Sequence, residues 1–521
     1  MPITRRRLIV GGSAAAATAA LGPMFRTVDL AEWTQRPAVA WAAGRTRQMP
    51  RPSAERHLLS RATFGLTPGE PARVQALGMD VWLDDQLKHK TDAAVDAALA
   101  PFQTLKWSPE QIRTASNELG PRAAIRDELV AATLYRMVHS RHQLYEVMVD
   151  HWSNHFNVYM DDYHMMMQTV AVRDVLRPHA MGAFRSLLHA DSTSVAMMQY
   201  LSTLLNVARG PNENYAREVM ELHTLGAGGG YTEADIKAVA RCFTGWNRND
   251  DSWRFEFRAN DHDNGSKSVL GAPIQTTGVD EGHEVLDRLV DHPSCPRHVA
   301  RRLALHFVAD TPPAALIERV AGAWGRDGDV VAMLSALFGS PEFGQAVADP
   351  IGDGPAKIRR PMEHWVAVLR ALGADGAFLL SIPNDGDYAG RPERYLQLMA
   401  HMPFRWRSPD GYPDNGKRWN GAHIMLARWN FGLAAAEGRL AKVEIDLVGQ
   451  MADDGVGGDA GKIVDYWADR LLARPLLADD RRILVEEMAA GGSGRVTVAE
   501  AGARVPMLVA LLLDSPYFQW R

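Results

Sequence analysis

Two short segments hold the residue types that metal and acid–base chemistry require. The first is Asp150-His151-Trp152-Ser153-Asn154-His155-Phe156. On a helix, residues at i and i+4 differ by about 40° in direction and lie one turn apart, so the imidazoles of His151 and His155 can reach one ion. A helix carried through this segment puts Val147, His151, Asn154, His155, Val158 and Asp162 on one face. Tyr145, Met148, Trp152, Phe156 and Tyr159 fall on the neighbouring face, which reads as core. The alternative is two histidines satisfied within the body. The second segment runs from Asn212 through Glu213-Asn214-Tyr215-Ala216-Arg217-Glu218-Val219-Met220-Glu221-Leu222-His223 to Gly226. Asn214, Glu218, Glu221 and Leu225 share a face, with the two acids one turn apart. Like charges at that spacing repel unless a metal ion, an arginine or a histidine pair lies between them. Arg217 is one such cation, and an Arg217–Glu221 ion pair on a solvated helix is the alternative. If the helix continues, His223 points nearly opposite to Glu221.

Two further stretches carry binding chemistry. Asn260-Asp261-His262-Asp263-Asn264-Gly265-Ser266-Lys267 gathers Asp, His and Lys at a glycine turn. His262 and Lys267 can contact a ligand there, although Asx turns account for Asp and Asn equally well. Phe404-Arg405-Trp406-Arg407-Ser408-Pro409-Asp410-Gly411-Tyr412-Pro413-Asp414, with Trp419 beyond, contains a Pro-Asp-Gly turn. Trp406, Tyr412 and Trp419 can form a platform for sugar rings or a polymer chain, or can pack the turn onto the body.

The elements that must position these groups read as helices. Apolar residues recur at helical spacing in most of the chain, as in Val130-Ala131-Leu134-Met137-Val138 and Leu316-Val320-Ala323-Trp324. Ser108-Pro109 and Thr232-Glu233 are helix starts, and Gly226 with Gly228, Gly229 and Gly230 is an exit and turn. The alternation Trp253-Arg254-Phe255-Glu256-Phe257-Arg258 marks a strand in a Gly- and Asp-rich connection over about 247–280. The expected fold is mainly α: a multi-helix globular body with one irregular insertion holding a short strand pair.

Composition bounds the rest. The 521 residues are 46% hydrophobic and 23% charged, which excludes a disordered or fibrous chain. A net charge of −5 disfavours a nucleic-acid partner, which needs a basic face. Cys242 and Cys295 are expected as buried free thiols, with a single bridge as the alternative. Arg5-Arg6-Arg7 followed by the small, apolar run Leu8–Leu21 reads as an export signal too short to span a bilayer. With Thr4 ahead of the arginines and Leu8-Ile9 behind, it resembles a twin-arginine signal, whose machinery carries folded proteins. Residues 1–40 are therefore assigned as signal and 41–52 as linker, and 53–521 as the helical domain, with two subdomains as an option. The mature chain is expected in the periplasm or secreted, without a transmembrane anchor.

Taken in order, several motifs carry a family resemblance. They are His57-Leu58-Leu59-Ser60-Arg61-Ala62-Thr63-Phe64-Gly65, His151-Trp152-Ser153-Asn154-His155-Phe156, Asn212–Glu218 running into Glu221-Leu222-His223-Thr224-Leu225-Gly226, Thr244-Gly245-Trp246, His262-Asp263, Arg360-Pro361 and Pro409-Asp410-Gly411. The chain resembles, over roughly residues 53–521, a large bacterial family known as a domain of unknown function, number eighteen hundred. The resemblance implies an exported, helix-rich protein and transfers no catalytic residue. It also implies a sulfatase-like exported protein as a partner, and hence envelope or extracellular chemistry.

Two functional expectations follow. In the first, His151, His155 and Glu221 hold a divalent transition metal between helices, with Glu218, Asn214 and His262 as catalytic groups and Asp162 as a further ligand. The reaction would be hydrolytic; an oxidoreductase version is weaker because position 221 is Glu where a Glu-x-x-His di-iron signature needs His. In the second, the chain is a non-catalytic envelope or polymer-binding protein that uses Trp406, Tyr412 and Trp419, with Lys267 as a further ligand contact.

Overall fold

The computed structural model describes residues 49–88, 91–160, 166–346, 357–381, 391–490, 492 and 494–521. The export signal, most of the linker and Asp162 lie outside these residues. Helices dominate, and one contiguous apolar core runs from Met49 to Phe518. The expected helix starts form as read. Ser108 caps Pro109–Ala115 through a reciprocal box with Gln111, and Thr232 caps Glu233–Cys242 in the same way with Asp235. The insertion holds two small antiparallel pairs. Trp246–Arg248 pairs with Phe255–Phe257, and Ser268–Val269 pairs with Ala272–Pro273. Cys242 and Cys295 are free and buried. Among the described residues no helix is long and apolar enough to cross a membrane.

Two helices frame the interior. Gln143–His155 is buried along almost its whole length and ends at Phe156, so Val158 lies beyond the helical face expected for it. Ser294–Phe307 buries Val299, Ala300, Leu303, Ala304, His306 and Phe307. The first motif of the chain secures the end of this second helix. Arg61, fully buried, donates from Nη1 to the carbonyl of Val308 at 2.9 Å.

The helix expected from Asn214 onward changes pitch. Asn214–Glu218 is α-helical, and Val219–Thr224 continues it as one wider π turn. A π turn adds a residue per turn and rotates everything after it. His223 is therefore turned inward, with none of its surface exposed, while Glu221 remains half-buried.

Candidate functional site

The two framing helices meet through their histidines. His151 and His155 lie on one, and His298 and His306 on the other; the π turn contributes His223. The His151 ring centroid is 5.4 Å from that of His306 and 6.4 Å from that of His155. His155 in turn lies 6.0 Å from both His223 and His298. Five imidazoles thus form one continuous row, four of them buried and His298 half-buried.

Neighbouring groups fix the ring orientations. Nε2–H of His155 donates to the carbonyl of His223 at 2.9 Å, which leaves Nδ1 bare. Nε2–H of His298 donates to the carbonyl of Leu222 at 2.8 Å. Nδ1 of His306 is 2.7 Å from Oδ2 of Asp414; with that carboxylate charged, the proton sits on Nδ1 and Nε2 carries a lone pair. No hydrogen-bond partner among the described residues reaches His306 Nε2, His151 Nε2, His155 Nδ1 or either nitrogen of His223.

A single loop supplies Asp414. Asn157 Nδ2 donates to the carbonyls of Trp406 and Ser408 at 3.0 and 2.7 Å. Asn154 makes a reciprocal pair with the Tyr412 backbone, accepting at 2.6 Å and donating at 3.0 Å. The residue after the histidine helix and one within it thereby sew segment 404–414 onto the site. Gly411 has φ +74°, and an added Cβ would collide with the Asn154 carbonyl, so only glycine fits there. Beyond the loop, Lys357 binds Asp414 Oδ1 at 2.7 Å and Asp310 at 3.0 Å. Arg360 joins Asp150 at 2.7 Å to Glu363 at 2.9 Å, and Arg521 closes on Glu363 at 3.2 Å.

The electrostatics favour neutral rings. Burial, then the charge of His306, holds His151 well below the ordinary histidine range, and burial with Arg302 does the same for His155. Burial followed by His298 brings His223 down to about 3, and burial brings His298 down to about 4. Burial pushes the Asp414 carboxyl up, but Lys357, His306 and Arg360 outweigh it and keep the group ionised. At neutral pH the row is therefore a set of neutral imidazoles with free lone pairs, the form that ligates metals.

The acids of the second segment sit apart from the rings. Arg217 pairs with Glu233 at 2.7 Å and Glu213 at 3.3 Å, so the ion pair expected with Glu221 is replaced by one to a different helix. Glu218 is half-buried, and burial, then Glu221, then Asp410 raise its carboxyl above the usual range despite Arg217. Asn214 is exposed at the helix start. Among the described residues no three His, Cys, Asp or Glu side chains are already gathered to hold a metal ion.

The remaining expected residues form two other clusters. His262 and Lys267 are buried in the insertion. Lys267 pairs with Glu281 at 2.6 Å, and His262 lies 3.4 Å from the same carboxylate with Nδ1 against the Thr244 carbonyl at 2.8 Å. Tyr412 and Trp419 are 7% and 3% exposed and pack with Ile358 and the half-buried Trp406. Their polar atoms are also engaged: Tyr412 Oη with the Met402 carbonyl, and Trp419 Nε1 with that of Pro413, both at 2.7 Å. These rings seal the underside of the Asp414 loop and offer no open platform.

Sequence reasoning passed over His298, Arg302, His306, Lys357 and Asp414. The signal was present for the first three, which fall at i, i+4 and i+8 on one stripe of their helix.

Fold and site together describe a helical protein closed around a buried histidine centre. Residues 57–520 match the family described as "Protein of unknown function (DUF1800)", and the chain belongs to it. No curated protein and no solved structure matches the chain.

Proposed function

We propose that the protein is an exported metal-dependent enzyme, hydrolytic in its simplest form, acting on an envelope or extracellular substrate. One observation carries this reading: a row of imidazoles in which four rings, His151, His155, His223 and His306, each keep at least one buried nitrogen with no partner among the described residues. A buried polar nitrogen without a hydrogen bond costs about 1–3 kcal/mol. Four rings in that condition within one row amount to a donor set awaiting an acceptor. Imidazole nitrogen suits Zn, Cu, Ni or Fe rather than Mg or Ca. His151, His155 and His306 would hold the ion. A metal bound there supplies a Lewis acid or a water of lowered pKa.

The chain's own groups account for the remaining chemistry. Asp414 orients His306, as a carboxylate behind a ligating imidazole does, and Lys357 holds Asp414. Glu218, whose carboxyl burial, Glu221 and Asp410 raise, would be the acid–base group.

Elemental analysis of the purified protein tests the reading. The wild type should retain one equivalent of a transition metal after incubation and desalting. His151→Ala and His306→Ala should each lose it, while His262→Ala should keep it. A wild type that retains none after exposure to zinc, copper, nickel and iron would overturn the proposal.

A further inference from the structure

The helix stripe that carries His298 and His306 places Arg302 between them, near enough to His151 and His155 for its charge to act on both. Most other deep arginines are paired, Arg136 being a further exception. Arg177 is bidentate on Glu146 at 2.8 and 2.9 Å, Arg360 holds Asp150 and Glu363, and Arg370 donates to two backbone carbonyls at 2.7 and 2.9 Å. No hydrogen bond or ion pair joins Arg302 to any described residue. The nearest acids, Asp414 and Asp410, act on it only through space, and Asp414 is already committed to Lys357 and His306. Arg302 is half-buried rather than fully enclosed.

An arginine fork has five donors in one plane and keeps its charge in proteins. To leave it unpaired in a desolvated position is unfavourable unless a ligand supplies the missing oxygens. From this we infer that the substrate carries an oxyanion (a carboxylate, sulfate or phosphate group) and that Arg302 binds it directly beside the histidine row. The inference deepens the reading above and rests on it for the word substrate; anion binding itself needs no metal.

The geometry also separates this role from a structural one. A guanidinium that knits the fold would unfold the protein when removed. One that waits for a ligand should leave the empty protein as stable as before, or more so, because a desolvated charge is gone.

The test uses chelator-treated full-length protein titrated with sodium sulfate, phosphate and acetate against chloride at matched ionic strength. Wild type should bind at least one of the three oxyanions and show a rise in melting temperature that grows with its concentration. Arg302→Gln should melt no lower than wild type without anion and should bind at least tenfold more weakly. Arg302→Lys should recover part of the affinity. Three results would overturn the inference: equal anion binding by Arg302→Gln, no binding of any oxyanion by wild type, or a failure of both variants to fold. Because the protein is metal-free throughout, a negative metal analysis and a negative anion titration report on different claims.

Discussion

The molecule contains two buried clusters of the same residue types that end up in opposite states. In the insertion, His262, Lys267 and Glu281 close on one another within 3.4 Å, and Arg241 binds Asp263 beside them at 2.6 Å. Charge meets charge there, with both cations on the Glu281 carboxylate when His262 is protonated. In the histidine centre the cations and acids also pair, through Lys357, Asp414, Arg360 and Glu363, but Arg302 and ring nitrogens of His151, His155, His223 and His306 are left over among the described residues. A closed cluster of this kind holds a loop onto a body. An open one holds unmet donors and acceptors, and it is the open one that a ligand can complete. Residue types alone would rank the two equally, and the difference lies in which groups have an ion-pair partner.

Acid should expose the contrast most strongly. Unfolded histidines take up protons below pH 6.5, whereas burial keeps His223 and His298 neutral in the native state down to about 3 and 4. The stability these groups contribute is therefore complete above pH 6.5 and is lost progressively as the pH falls toward 3. The slope is on the order of 1.4 kcal/mol per pH unit for each such ring. Urea titration of chelator-treated protein between pH 7 and 4 should show this decline, and His223→Phe should flatten it. Lys267→Met should leave the slope unchanged, since it removes no buried imidazole.

Lys267→Met should instead lower stability at every pH. It strands Glu281 as a buried carboxylate, at a cost of about 3–5 kcal/mol in urea denaturation. A loss below 1 kcal/mol would mean that the insertion cluster is not closed as described.

The same contrast bears on what the sequence made legible. The histidine helix, the capped helices at Ser108 and Thr232 and the strand pair in the insertion are local patterns, and spacing alone recovers them. The π turn at Val219–Thr224 is not local in that sense. Continued as an α-helix, the segment turns His223 away from Glu221; the wider turn carries it into the core, and no residue type marks the change. The Asp414–His306 contact joins residues 108 positions apart. Asp414 stands at the end of the Pro-Asp-Gly turn that spacing identified, yet its partner depends on Asn154 and Asn157 docking that turn. Arg302 was legible as part of an i, i+4, i+8 stripe, but its lack of a partner belongs to the packed molecule alone.

Gly411→Ala tests the docking directly. The positive φ and the Asn154 carbonyl oppose any side chain, so the variant should lose about 1–3 kcal/mol. It should also show reduced metal retention, because Asp414 would move with the loop. Wild-type stability together with wild-type metal content would detach the loop from the site.

The smallest effect should come from the centre of the open cluster. His151→Leu removes a ring whose Nε2 has no partner and replaces it with a side chain of similar size. Metal-free stability should change by less than about 1 kcal/mol, in contrast to Lys267→Met. A loss of several kcal/mol would mark His151 as part of a satisfied core.

X-ray absorption at the metal edge of the loaded protein tests the central claim most directly. Coordination by the histidine row predicts a shell of nitrogen or oxygen ligands with the outer-shell scattering of at least two imidazole rings, one of which disappears in His306→Ala. A spectrum without imidazole scattering, or one unchanged by His306→Ala, would contradict the assignment of this row as the metal centre.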